Sequence, residues 1–167
     1  MYTFEQILPL IKPSFGEACC RKRVGYYYSL SINFGEKIYH NKPRRADPFY
    51  GEWQFVCYHR MWKIFRSNHT ILEGQNYSGT NDDLDNALQD IEFGRLISIF
   101  LNNANNLVLE LDNDLSIEFS PHLENTDERF YIFLPQNRCL KYHFKQGWEY
   151  GRSDLPSPNY LKLDYIS

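Results

Sequence analysis

Residues 51–68 read GEWQFVCYHRMWKIFRSN, and the reading of this stretch decides the fold. It gathers two tryptophans, a cysteine, a histidine and several basic residues. Such a set could belong to a metal site, a catalytic site, a nucleic-acid strip or a sheet core. Side chains alternate between the two faces of a strand, so parity sorts them. Trp53, Phe55 and Cys57 share one parity, while Tyr58, Trp62 and Ile64 share the other. An apolar face that changes parity inside a strand-like run implies a bulge or turn, here near residues 59–61. The expectation is a bent core strand or two pieces, 52–58 and 61–66, with Trp53 and Trp62 entering the core from opposite sides of the bend.

On the C-terminal side, SNHT turns and ILEG makes a short strand. Residues 79–94 (GTNDDLDNALQDIEFG) then predict a helix. Thr80 or Asn81 can cap it, and Asp82, Asp83 and Asp85 fall in its first turn, where the helix dipole favours anions. Leu84, Leu88 and Ile91 form its apolar stripe, and Gly94 is placed to stop it. Strands at 95–103, 106–113 and 114–121 follow as a meander joined by Asn/Asp turns. Residues 129–144 read as a hairpin turning at 135–137, and WEYG adds an end strand. On the N-terminal side, residues 3–11 predict a short helix capped by Thr3 and kinked or ended at Pro9. FGEACCRKR reads as a basic loop. Residues 24–35 (VGYYYSLSINFG) alternate, with Tyr26, Tyr28, Leu30, Ile32 and Phe34 on one face. Residues 41–51 read as a second basic loop. The whole predicts one α+β domain over residues 1–167 with its core at about 24–150: a strongly curved, half-barrel-like antiparallel meander with about two helices packed on it.

Composition narrows the function classes. Of the 167 residues, 17% are aromatic and 23% charged, which excludes intrinsic disorder. No leader segment is visible at the start, and no apolar run approaches the ~18 residues a membrane span needs. Cys19, Cys20, Cys57 and Cys139 form no disulfide-framework spacing, so reduced thiols and a cytosolic location are expected. The net charge of −3 is unevenly spread: residues 1–70 hold 11 Lys/Arg against 5 Asp/Glu, and residues 71–167 hold 7 against 16. A field of one sign steers partners of the other, so the acidic half would attract a basic protein and repel nucleic acid.

Chemistry-bearing patterns are sparse. His40, His59, His69, His122 and His143 show no zinc spacing. Cys57 and His59 would share a strand face, but two further metal ligands are not nominated. A Cys57 nucleophile lacks the strained elbow or helix N-terminus that activates a thiol. Asp112 and Asp114 in LELDNDLSIEF read as a β-turn pair before catalytic carboxylates or a calcium loop. No glycine-rich phosphate loop is present, and no cofactor is expected. The aromatic, basic 20–66 region could stack bases, but alternation turns most of its rings inward.

Taken in order, VGYYYSLSINFG, GEWQFVCYHRMWKI, the acidic helix, RLISIF…NLVLELDNDLSIEFS and FYIFLPQNRCLKYHF resemble immunity proteins of bacterial polymorphic toxin systems, including contact-dependent growth inhibition. Gly51, Trp53, Trp62 and Ile64 match a G-x-W-x-Φ…W-x-I core (Φ apolar). Asp114, Leu115, Ile117 and Phe119 match a later D-L-x-Φ-x-F strand. The resemblance covers roughly residues 24–150. It implies a cytosolic, non-catalytic protein that neutralises a cognate toxin C-terminal domain, commonly a nuclease, with no nucleic acid or membrane as partner. Nucleases bind phosphates and are often basic, so an acidic inhibitor would associate fast. The candidate toxin-binding residues are Asp82, Asp83, Asp85, Asp90, Glu92, Asp112 and Asp114, with exposed tyrosines as possible anchors. Two other readings stand beside this one. In a ligand-binding or structural module, Tyr26, Tyr28, Trp53 and Trp62 would line a pocket inside the sheet. In a hydrolase, Cys57 or His59 would act.

Overall fold

The parity change is realised as a change of sheet. The computed structural model describes residues 1–41, 47–121, 129–156 and 159–163. Among the described residues, eleven strands form two antiparallel sheets. The first sheet runs β1 (Cys19–Val24), β2 (Leu30–Tyr39), β3 (Phe49–Cys57), β9 (Arg129–Leu134), β10 (Arg138–His143) and β11 (Gly147–Arg152). The second runs β5 (His69–Glu73), β4 (Trp62–Arg66), β8 (Leu115–Phe119), β7 (Leu107–Leu111) and β6 (Leu96–Leu101). The chain leaves the first sheet after Cys57 and joins the second at Trp62. The expected antiparallel sheet with two helices is thus present, built as two sheets where one continuous meander was expected.

Parity explains why the bend serves both sheets. Trp53, Phe55 and Cys57 are buried from β3, and Trp62 and Ile64 from β4. They meet Leu30, Ile32 and Phe34 of β2, and Leu115, Ile117 and Phe119 of β8, in one hydrophobic cluster. Phe119 and Phe130 join the sheets directly, with ring centroids 4.6 Å apart. Each such fully buried side chain contributes about 1.5–3 kcal/mol through removal from water. Gly51 is required by close approach: a Cβ there would lie 2.6 Å from Asn33 Cβ and 2.8 Å from Cys20 Sγ. Its N–H donates to Asn33 Oδ1 at 2.9 Å, which satisfies a buried amide.

Helix α1 (Phe4–Ile11) starts at Thr3 with a capping box closed by Gln6. It continues through Pro9 to Ile11, so Pro9 does not end it. Pro9 and Glu5 are both exposed, so water can satisfy the carbonyl that the proline leaves unpaired. Helix α2 (Asn81–Gln89) is capped by Thr80, with Asp83 completing the box, and buries Leu84 and Leu88. It ends before Ile91 and Gly94, so glycine is not its stop. Asp85 lies in its second turn, where an arginine engages it in place of the dipole.

Two further expectations are corrected. Residues 19–24 form strand β1 where a basic loop was expected; half-burial of Arg21 and Arg23 is compensated by ion pairs. Tyr26–Tyr28 form a 3-10 turn, so the strand begins only at Leu30, and Tyr26 is exposed. Arg44 and Arg45 of the second basic loop, and His122, lie outside the described residues. No helix among the described residues is long and apolar enough to cross a membrane.

Candidate functional site

The seven acidic candidates divide by what their carboxylates already do. Asp83 accepts from Thr80 N at 3.2 Å as part of the cap. Asp85 accepts from Val24 N at 2.8 Å and pairs with Arg23 Nη1 at 2.8 Å. Asp112 Oδ1 accepts from Arg95 N at 2.8 Å. A Cβ on Gly94 would collide with that Oδ1, so glycine there makes the contact possible. These three carboxylates hold the fold. Asp82, Asp90, Glu92 and Asp114 are exposed and make no side-chain hydrogen bond or ion pair among the described residues.

Local contacts bring part of this set together. Asn113 Nδ2 donates to Glu92 O at 2.8 Å, which ties the β7–β8 turn to the chain leaving α2. Asp114 takes a left-handed conformation (φ 62°), as Asp tolerates in a turn. Glu92, Asp112 and Asp114 therefore share one corner, with Asp90 just before it. Asp82 and Asp83 sit at the other end of α2.

Exposed tyrosines adjoin that other end. Tyr28 N donates to Asn81 Oδ1 at 3.1 Å, and Tyr28 Oη donates to Gly79 O. The Arg60 guanidinium lies 4.4 Å from the Tyr28 ring centroid, and Trp62 Nε1 donates to Tyr28 O at 2.7 Å. This network holds Tyr27 and Tyr28 at φ 57° and 58°, a left-handed conformation costing about 1–2 kcal/mol per residue. The result is a fixed turn that leaves Tyr26 79% and Tyr27 84% exposed beside Asp82.

Cys57 and His59 do meet, but under the bend. Cys57 Sγ lies 3.5 and 3.4 Å from the two ring nitrogens, and both residues are buried. Met61 N donates to His59 Nδ1 at 3.1 Å. The pair fixes the sheet change and faces the core. Burial pushes the Cys19 thiol up to about 12 and Cys139 up to about 11, which keeps both protonated near neutrality. Among the described residues no group of three or more His, Cys, Asp or Glu could hold a metal ion.

The interior pocket expected between Tyr26, Tyr28, Trp53 and Trp62 is filled: both tryptophans are core, and Tyr26 points to solvent. A cleft of about 610 Å³ lies instead on the opposite face of the first sheet, where Arg21, Asn33 and Gln54 are cross-strand neighbours. Arg23 grips Asp47 through Nε (2.7 Å) and Nη2 (3.0 Å), and Asp85 through Nη1 (2.8 Å). Arg21 Nε adds a third bond to Asp47 at 3.0 Å. The Arg23 guanidinium holds the Asp47 carboxyl below the usual carboxylate range, with Arg21 adding to it. Sequence inspection missed this node because Asp85 lies 62 residues from Arg23.

No family model, curated protein or solved structure matches the chain.

Proposed function

We propose that the chain is an immunity-type inhibitor that binds and neutralises a cognate toxin domain in the cytosol, acting by occlusion and without catalysis. One observation supports this reading most: how the charges are paired. Arg21 and Arg23 of β1 are paired with Asp47 and Asp85, while Asp82, Asp90, Glu92 and Asp114 carry open negative charge along α2 and the β7–β8 turn. A solvent-facing field of one sign accelerates encounter with a partner of the other sign and disfavours nucleic acid. Tyr26 and Tyr27, exposed on a hydrogen-bonded turn, suit the anchoring role that tyrosines fill at interface hot spots. The partner is then a basic domain, of which a phosphate-binding nuclease is the fitting example.

The test is co-expression with the C-terminal domain encoded by the reading frame immediately upstream. Stable co-purification and rescue of growth from that domain's toxicity support the reading. Failure of both, with the domain expressed and toxic, overturns it.

A further inference from the structure

The 610 Å³ cleft falls within the roughly 300–1,000 Å³ typical of small-molecule sites. What it can bind follows from which of its polar groups still have capacity. Four charges line it: Arg21, Arg23, Asp47 and Asp85. The carboxylates are engaged: Asp47 accepts three guanidinium N–H groups, and Asp85 accepts from Arg23, Val24 N and Gln89. Arg23 uses all three of its nitrogens. Arg21 does not. It gives Nε to Asp47 and makes a long 3.5 Å contact from Nη1 to Ser31 Oγ, and its Nη2 donates to no group among the described residues. Gln54 and the Tyr50 hydroxyl likewise have no side-chain hydrogen bond there. A cation entering the cleft would have to displace an arginine from its carboxylate. An anion needs only to add to open N–H and O–H donors.

Part of the lining is aromatic. His40 and Tyr50 rings lie 5.3 Å apart, tilted by 41°, and Phe49 adjoins them. Ring faces of this kind take up a flat apolar body by stacking. The salt-bridge node also preorganises the site. Asp47 fixes Arg21 at Nε, so the terminal nitrogens need no ordering when a ligand arrives.

We propose that this cleft binds a small organic anion carrying a planar ring, its negative group on the terminal nitrogens of Arg21 and its ring against His40 and Tyr50. A nucleoside monophosphate and an aromatic carboxylate share this chemistry. The site is lined by β1, β3, His40, Asp47 and the paired Asp85 of α2, apart from the exposed carboxylates at the ends of α2 and in the β7–β8 turn, so it stands or falls separately from toxin binding.

The experiment is an NMR titration of the full chain with four probes: adenosine monophosphate, benzoate, inorganic phosphate and adenosine. Amide and Arg Nε–H shifts are followed to about 10 mM, tenfold beyond the millimolar Kd that marks weak specific binding. At least one ringed anion should give saturable shifts at Arg21, Tyr50 and Gln54, and whichever binds names the ligand class. Arg21→Gln should weaken that probe at least tenfold, and Tyr50→Ala at least threefold, with dispersed spectra confirming that both variants fold. Should Arg21→Gln lose its fold, Gln54→Ala, on the exposed side of its strand, replaces it and should weaken binding at least threefold. Saturation by phosphate as tight as by the ringed anions would overturn the ring half of the proposal. Adenosine binding as tightly as its monophosphate would overturn the anion half. Absence of saturable shifts with every probe, or shifts unchanged in the variants, would overturn the whole.

Discussion

Two charged regions of this protein look alike in sequence and behave oppositely in the fold. Around β1, Arg21 and Arg23 form a basic run, yet both are half-buried and tied to Asp47 and Asp85. Along α2 and the β7–β8 turn, Asp82, Asp90, Glu92 and Asp114 form an acidic run whose side chains stay open to water. The first region is a structural joint between β1, the chain entering β3, and α2. The second costs little to remove and projects a field. The same residue type serves both roles, since Asp85 and Asp90 are five residues apart on one helix and its cap. Burial and geometry decide which charges can reach a partner; local composition does not.

The largest effect should come from breaking the joint. Arg23→Met leaves Asp47 and Asp85 without their shared guanidinium, and should cost about 2–3 kcal/mol in urea unfolding, since removing one partner of a half-buried pair strands the other charge. A loss below ~0.5 kcal/mol, the scale of an ordinary surface change, would make the two regions equivalent. Acid should act through the same joint. The folded Asp47 carboxyl is held low by Arg23, so its contribution is complete above about pH 4, the range of an unfolded carboxyl, and fades as pH falls through the lower folded value. Unfolding midpoints should therefore drop as pH falls below about 4 in the parent chain, and drop less in Arg23→Met.

A smaller effect separates structural from open carboxylates within the acidic run. Thr80→Ala removes the cap that Asp83 completes and should cost about 1 kcal/mol. The smallest effect on stability belongs to Asp90→Lys, Glu92→Lys and Asp114→Lys, each within about 0.5 kcal/mol by thermal unfolding. A triple variant that unfolds would place these side chains in the structural class with Asp85.

Much of the fold was legible because its signals are local. The parity break at 59–61 located the change of direction, and the alternation at 30–34 and 115–119 identified strands whose apolar residues are all buried. The Thr80 cap is written in four adjacent residues. What escaped was non-local. Strand β1 has no apolar alternation; its side chains are half-buried by ion pairs to positions 26 and 62 residues away. The passage of the chain from one sheet to another is a matter of hydrogen-bond partners, which parity cannot assign. The Tyr26–Tyr28 turn disguised itself as alternation because three tyrosines fit a strand equally well. The cleft draws on β1, β3, α2 and the chain before β3, so no single window contains it. Among the acidic candidates, sequence could rank none above another, because the partners that engage Asp85 and Asp112 lie elsewhere in the chain.

The proposal that the open carboxylates steer a basic partner is tested most directly by stopped-flow association with the proposed toxin domain, across a salt series. The association rate should fall about tenfold or more between ~50 mM and ~500 mM salt, as screening shortens the reach of the field. The Asp90→Lys/Glu92→Lys/Asp114→Lys variant should start slow and lose most of this salt dependence. Association that is equally fast at every salt concentration, and unchanged in that variant, would contradict it.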